Sequence, residues 1–194
     1  SAVLDGRPAM LVTSMNGKPL SPVHGYPVRM IVPGLFGYVS ATKWISDIEI
    51  TTWDAFDAYW VRRGWSAEGP MLSSSRIDLP RPDSVVAAGK VKVGGFAWAP
   101  RAGIQSVQLK VNDAAWVDCE VLAHDGGDTW AQWKYPLPVT PGDYSLTVRV
   151  IDKLGNEQTS ETPDLSGQFN LSIEACASSS CDPDEGGRVF FIAD

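Results

Sequence analysis

Cysteine and histidine are scarce in this chain, with three and two residues among 194. Three cysteines do not build the disulfide framework of a small secreted domain, and neither residue type shows the paired spacing of a zinc site. Cys119 sits in a strand-like run without a histidine or cation beside it in sequence, so it reads as a small buried hydrophobe rather than a reactive thiol. Cys176 and Cys181 flank the short segment 177–180, and a bridge between them stays open. Apolar runs of about 18 residues or more are absent, which excludes a membrane-spanning helix, and the opening Ser-Ala-Val-Leu-Asp has neither the basic nor the apolar part of a signal peptide. No phosphate-binding loop, dinucleotide fingerprint or nucleophile elbow occurs. Positive charge is also short: 16 Lys and Arg against 23 Asp and Glu give a net charge of -7. That balance argues against general binding of nucleic acid or anionic membranes, so an anion site here must be a local basic pocket.

What is present is a 44% hydrophobic composition, enough for a core, and one stretch in which turn residues and cations coincide. From His24 to Trp44 the chain carries glycines, prolines and three cationisable side chains, His24, Arg29 and Lys43. Glycine lets backbone approach a ligand closely, and Arg and Lys supply charge-assisted hydrogen bonds, so the pattern predicts a pocket for a phosphate or similar oxyanion. The bland alternative, that each cation is a structural hydrogen bonder, fits the spacing as well.

Along the chain, Asn16-Gly17 predicts a tight turn. Strands are expected over 26–32 and, from imperfect alternation, over 44–52. Aromatic spacing predicts a short helix from Asp54 to Arg63, stopped by Gly64. Residues 65–81 have the composition of a connector, with a domain boundary near residue 72. Beyond it, strands are expected over 90–98, 104–111, 116–122, 130–139 and 144–151, with a last one around Phe169, Leu171 and Ile173, separated by Gly, Pro and Asn turn signals. Short strands at this spacing predict an immunoglobulin-like antiparallel sandwich of about a hundred residues. The eight tryptophans are read chiefly as core. The end of the chain is acidic until Val189-Phe-Phe-Ile.

The wording of four segments, Met15-Asn-Gly-Lys-Pro-Leu, His24-Gly-Tyr-Pro-Val-Arg-Met-Ile-Val-Pro-Gly, Ser40-Ala-Thr-Lys-Trp and Tyr59-Trp-Val-Arg-Arg-Gly-Trp, resembles the sulfite oxidase family of molybdopterin enzymes. Gly94-Gly-Phe-Ala-Trp, Val107 to Asp113, Trp116 and Thr129-Trp-Ala-Gln-Trp resemble its immunoglobulin-like dimerisation domain. The resemblance covers about residues 8 to 173. It implies a mainly β chain: an end segment of an α+β cofactor domain over 1–72, an immunoglobulin-like dimerisation sandwich over 73–174, and a tail over 175–194. It also implies that His24, Arg29 and Lys43 contact molybdopterin. Trp65 stands where animal members carry a substrate-pocket tyrosine, offering an indole N–H in place of a phenol, and Arg101 lies near their pocket arginine.

The same resemblance implies a parent enzyme that performs two-electron oxo transfer on a small substrate such as sulfite, exchanges electrons with a separate carrier and forms a homodimer. No contact with nucleic acid or membrane is expected of this segment. Family enzymes hold the metal through a cysteine earlier in the cofactor domain, and no cysteine here matches it. The chain, which opens without Met, is therefore expected to be the carboxy-terminal part of a longer polypeptide, inactive and without cofactor by itself. The alternative is a non-catalytic sandwich module for dimerisation or interaction. Substrate, electron partner and compartment stay open, an extracytoplasmic or membrane-associated parent being compatible with the sequence.

Overall fold

A computed structural model describes residues 6–52, 54–82 and 84–159, and the backbone of 169–176. The chain divides into two compact units, Ser1–Met71 and Leu72–Asp194.

In the first unit, Asn16 and Gly17 both adopt positive φ and close a hairpin between β2 (Ser14–Met15) and β3 (Lys18–Pro19), following β1 (Met10–Val12). β1 pairs antiparallel with β4 (Arg29–Ile31), setting Val12 opposite Arg29. The strand expected over 26–32 is this short because Tyr26 still donates its N–H to the Ser21 carbonyl of the preceding turn. The other side of β4 is held by the segment that follows one helical turn, α1 (Gly37–Ser40): Met30 and Val32 donate to the carbonyls of Thr42 and Ser40.

Two expectations fail here. The alternating run from Trp44 to Thr52 forms no strand: Ile45 donates to Val28, but Ile48 and Ile50 are 57% and 94% exposed. Alternation without a partner edge leaves backbone groups unpaired, so it does not make a sheet. The helix expected from Asp54 to Arg63 shrinks to a 3-10 turn, Val61–Arg63, closed by Gly64 at φ +87°. Its aromatics pack on one another, Tyr59 edge-on to Trp60, instead of lining one stripe against a core. Trp53 lies outside the described residues.

The second unit is the expected antiparallel sandwich. Its strands are β5 (Ser74–Leu79), β6 (Val85–Ala87), β7 (Gly89–Trp98), β8 (Ile104–Val111), β9 (Val117–Asp118), β10 (Glu120–Val121), β11 (Ala131–Val139), β12 (Gly142–Asp152) and β13 (Phe169–Cys176). One sheet runs β10-β11-β7-β5 and the other β6-β13-β12-β8-β9, with β6 parallel to β13. This is the strand arrangement of an immunoglobulin-type sandwich. Near the start of β12, the Tyr144 hydroxyl donates to the Thr140 carbonyl at 3.0 Å and accepts the Thr140 N–H at 2.9 Å, the corner that marks such folds. Inward positions of β7, β8, β11 and β12, among them Val93, Leu109, Trp133, Leu146 and Val148, build one core between the sheets.

Two details depart from the sequence reading. The supposed connector contains β5, which pairs with β7 through a bulge between Ile77 and Leu79. Gly95 opposite is required there, since a Cβ would lie 2.0 Å from the Arg76 carbonyl oxygen. The single strand expected over 116–122 is two, β9 in one sheet and β10 in the other, with the chain crossing at Cys119. Burial, aided by neighbouring Asp118, pushes the Cys119 thiol up to about 12, in keeping with an inert side chain. Of Cys176 only the backbone is described, and Cys181 and Val189–Ile192 lie outside the described residues. No helix among the described residues is long and apolar enough to cross a membrane.

Buried polar groups are tied into the sandwich. Asp152, at the end of β12, accepts the N–H of Leu154 and of Asn156 and the Asn156 amide, each at 2.9 Å. Desolvation raises its pKa, but these bonds from Asn156, Leu154 and Gly155 outweigh it and hold the carboxyl below its ordinary value. A folded pKa below the unfolded one means stability that is full above about pH 4 and is lost as pH falls through the folded value. Asp152→Ala is expected to cost about 2 kcal/mol at pH 7 and to flatten the loss of stability below pH 4, as urea unfolding across pH 2.5–7 would show.

Candidate functional site

The site assembles on a tight turn. Pro22–His24 forms one 3-10 turn, favoured by proline at its first position and ended by Gly25 at φ +109°. Carbonyls at such a C-terminal end attract donors and positive charge, and that of Pro22 also takes the Gly25 N–H at 3.1 Å. Here three successive carbonyls are each met by a side chain. The Pro22 carbonyl accepts Trp44 Nε1 at 2.8 Å, that of Val23 accepts Lys43 Nζ at 3.1 Å, and that of His24 accepts Arg29 Nη1 at 3.3 Å. Arg29 Nη2 also reaches the Ala41 carbonyl, at 3.5 Å.

Gly25 is why these cations converge. It is buried, and a Cβ there would lie 3.0 Å from Lys43 Cγ and 3.1 Å from Arg29 Cβ. Both stems therefore lie against bare glycine backbone. His24, on the same turn, has Nδ1 2.7 Å from Ser21 Oγ, which leaves its Nε2 available. The structure thus brings together the three residues singled out in sequence. Arg29 and Lys43 spend donors on backbone carbonyls and His24 pairs with the Ser21 hydroxyl, as the structural alternative supposes, but the set is not satisfied by that. Among the described residues neither Arg29 nor Lys43 is paired with a carboxylate, and Arg29 Nε is buried with no hydrogen-bond partner. A buried charged donor without an acceptor is costly. An oxyanion with several acceptor oxygens fits such a donor set, and a cation does not.

The two substrate-pocket candidates fall in different units. Trp65 belongs to the first unit, where its ring stands edge-on to Tyr38, centroids 4.8 Å apart, and 4.9 Å from Trp60. Tyr38 donates its hydroxyl to the Ser66 carbonyl at 2.7 Å, fixing α1 to the loop that carries Trp65. Trp65 stays 49% exposed. Arg101 belongs to the second unit, exposed at φ +68° in the turn between β7 and β8. No cluster of His, Cys, Asp and Glu that could hold a metal ion occurs among the described residues.

Sequence reasoning missed the parts that depend on contact: Gly25 as the floor, Ser21 as partner of His24, and Trp44 as partner of both Pro22 and Lys43. Glycine directly after a histidine-ended turn was the one local signal for the first; the others have none.

Comparison with known proteins adds to this geometry. The model of an oxidoreductase molybdopterin binding domain matches residues 1–60. Mitochondrial sulfite oxidase of Homo sapiens is 25% identical over 163 residues, covering 72% of this chain and 29% of that protein. The Mus musculus enzyme is 29% identical over 175 residues, 77% of this chain and 32% of its own. An inducible NADH nitrate reductase of Glycine max is 50% identical over 175 residues, 77% of this chain and 19% of its own. The chain therefore spans less than a third of the length of these relatives. Among solved structures, the sulfane dehydrogenase SoxCD of Paracoccus pantotrophus superposes with a TM-score of 0.58 at 22% identity, over 77% of this chain and 41% of that one, a likeness of fold.

Proposed function

The chain belongs to the sulfite oxidase family of molybdopterin-dependent oxidoreductases, and on that premise we propose that its first unit supplies one wall of a molybdopterin site and its second unit a dimerisation sandwich. The observation that carries the reading is the pair of uncompensated cations on Gly25, with Arg29 Nε buried and unpartnered. Arg29, Lys43 and His24 would hold the phosphate of the cofactor. Arg29 is suited to a multidentate grip through its fork, Lys43 to a compact charge, and His24 to a bond from Nε2. When bound, molybdopterin would supply two-electron oxo transfer on a small substrate such as sulfite, with electrons exchanged with a separate carrier.

In this reading residues 1–72 are the last segment of the cofactor domain, 73–174 the dimerisation domain and 175–194 a tail. Trp65, through its indole N–H, and Arg101, through its guanidinium, are the substrate-pocket candidates. Cys119 is not read as the metal ligand, because it lies in the sandwich where β9 passes to β10. The metal thiolate then comes from another part of the enzyme, and this chain by itself neither retains the metal nor turns over. Large exposed apolar side chains in the first unit, Ile50 and Phe56 among them, support packing against further polypeptide.

A second reading, a non-catalytic interaction module, draws on the disparity between the units. Among the described residues the sandwich buries fourteen hydrophobic residues in its core, while the first unit buries Leu20 and Val32. Metal analysis of the complete gene product, purified from a molybdenum-replete host, decides between them. Near-stoichiometric molybdenum is expected, and its absence refutes the cofactor reading. Sedimentation velocity of the present chain is expected to show a dimer, and a strict monomer at high concentration would remove the dimerisation role.

A further inference from the structure

We propose that Trp44 is a positioning residue that holds Lys43 in the anion cradle, an inference that rests on the cofactor-wall reading above. The backbone of Trp44 lies at φ +55°, in the left-handed region that an aromatic residue enters only at a cost. Glycine or asparagine would adopt that conformation more readily. Burial of the ring does not account for a tryptophan there, because 58% of the residue is exposed. Its side-chain contacts do.

The indole Nε1 donates to the Pro22 carbonyl at 2.8 Å and ties the 42–44 segment to the 3-10 turn. The Lys43 ammonium lies 4.7 Å from the centroid of the same ring and donates to the Val23 carbonyl at 3.1 Å. Its stem rests on Gly25 beside that of Arg29. Lys43 is thus held at three points: along its stem by glycine, at its tip by a carbonyl, and across its charge by the indole face. Two neighbouring cations without a carboxylate repel each other, and a lysine left to itself would swing into water. Trp44 opposes that swing. A lysine already confined has fewer rotamers left to lose when an anion binds.

Two variants test the role of the indole. Trp44→Phe keeps an aromatic face and removes the N–H donor; Trp44→Asn keeps a residue tolerant of positive φ and removes both contacts. The first measurement is the acylation rate of Lys43 by an N-hydroxysuccinimide ester, read by peptide mass spectrometry with the exposed Lys18 of the hairpin as internal reference. The second is affinity for inorganic pyrophosphate by calorimetry on the full chain. Both variants are expected to speed Lys43 acylation about fivefold and to weaken pyrophosphate binding by a similar factor, with no further loss when either is added to Lys43→Ala. Should Trp44→Asn fail to fold, the conservative Phe variant carries the test alone. Unchanged acylation overturns the positioning role, and so does a pyrophosphate loss that adds to that of Lys43→Ala. If the wild-type chain ignores pyrophosphate while acylation rises as expected, the cofactor-wall reading falls and the positioning of Lys43 by Trp44 stands.

Discussion

Replacing Arg29 by alanine is expected to weaken binding of inorganic pyrophosphate, a stand-in for the cofactor's phosphate, by about thirtyfold, or ~2 kcal/mol. The magnitude follows from what the guanidinium has left to give. Nη1 and Nη2 spend donors on the carbonyls of His24 and Ala41, but at 3.3 and 3.5 Å these are long bonds. Nε is buried without a partner, and among the described residues no carboxylate pairs with the charge. An oxyanion removes both deficits together. Arg29→Lys should recover part of the loss, because it restores charge without the planar fork. Stability should move the other way: without an anion, deleting one of two adjacent cations relieves repulsion, so the thermal midpoint is expected to hold or rise slightly. Calorimetry with pyrophosphate and a thermal melt in its absence check the pair. A binding change under threefold would make Arg29 a structural bonder of the turn and nothing more.

Trp133→Ala is expected to destabilise the sandwich by about 3–5 kcal/mol. The residue is 2% exposed near the start of β11, and its indole N–H donates to the Phe96 carbonyl on β7 at 3.2 Å. Truncation therefore opens a large cavity and strips a partner from a carbonyl in the same stroke. Trp130, nearby in sequence, makes the contrast. It is 50% exposed and stacks on Trp98 with centroids 5.9 Å apart, so Trp130→Ala should cost about 1 kcal/mol. Urea unfolding followed by far-ultraviolet circular dichroism measures both. A Trp133→Ala loss no larger than that of Trp130→Ala would show that the core is not organised around this ring.

These two tryptophans illustrate what could be read beforehand. Assigning the tryptophans to core packing as a class holds for Trp133 and fails for Trp130, Trp44 and Trp65, each about half exposed. Composition says that an aromatic residue has area to bury; it does not say whether a neighbour is present to bury it. The run from Trp44 to Thr52 fails for the same reason. Its alternation is genuine, but a strand needs a second edge to satisfy its backbone, and none is paired with it.

By itself the sequence determined the long strands of the sandwich, β7, β8, β11 and β12, because two-residue alternation and glycine, proline and asparagine turns are local signals that report directly on local geometry. It determined the hairpin at Asn16-Gly17 for the same reason, and its motifs carried the family. Only the tertiary structure decided which sheet each short strand joins, since β9 and β10 are contiguous in sequence and part company at Cys119. Only it showed that Arg29 and Lys43 lean on one glycine, that three carbonyls of one turn receive three side chains, and that Trp44 is among them. The contacts of Lys43 and Trp44 with that turn join positions 20 and 22 residues apart, where the order of residues along the chain carries no distance. The cations were legible as residue types; their lack of counter-charge, which gives the site its chemistry, is a property of the folded arrangement alone.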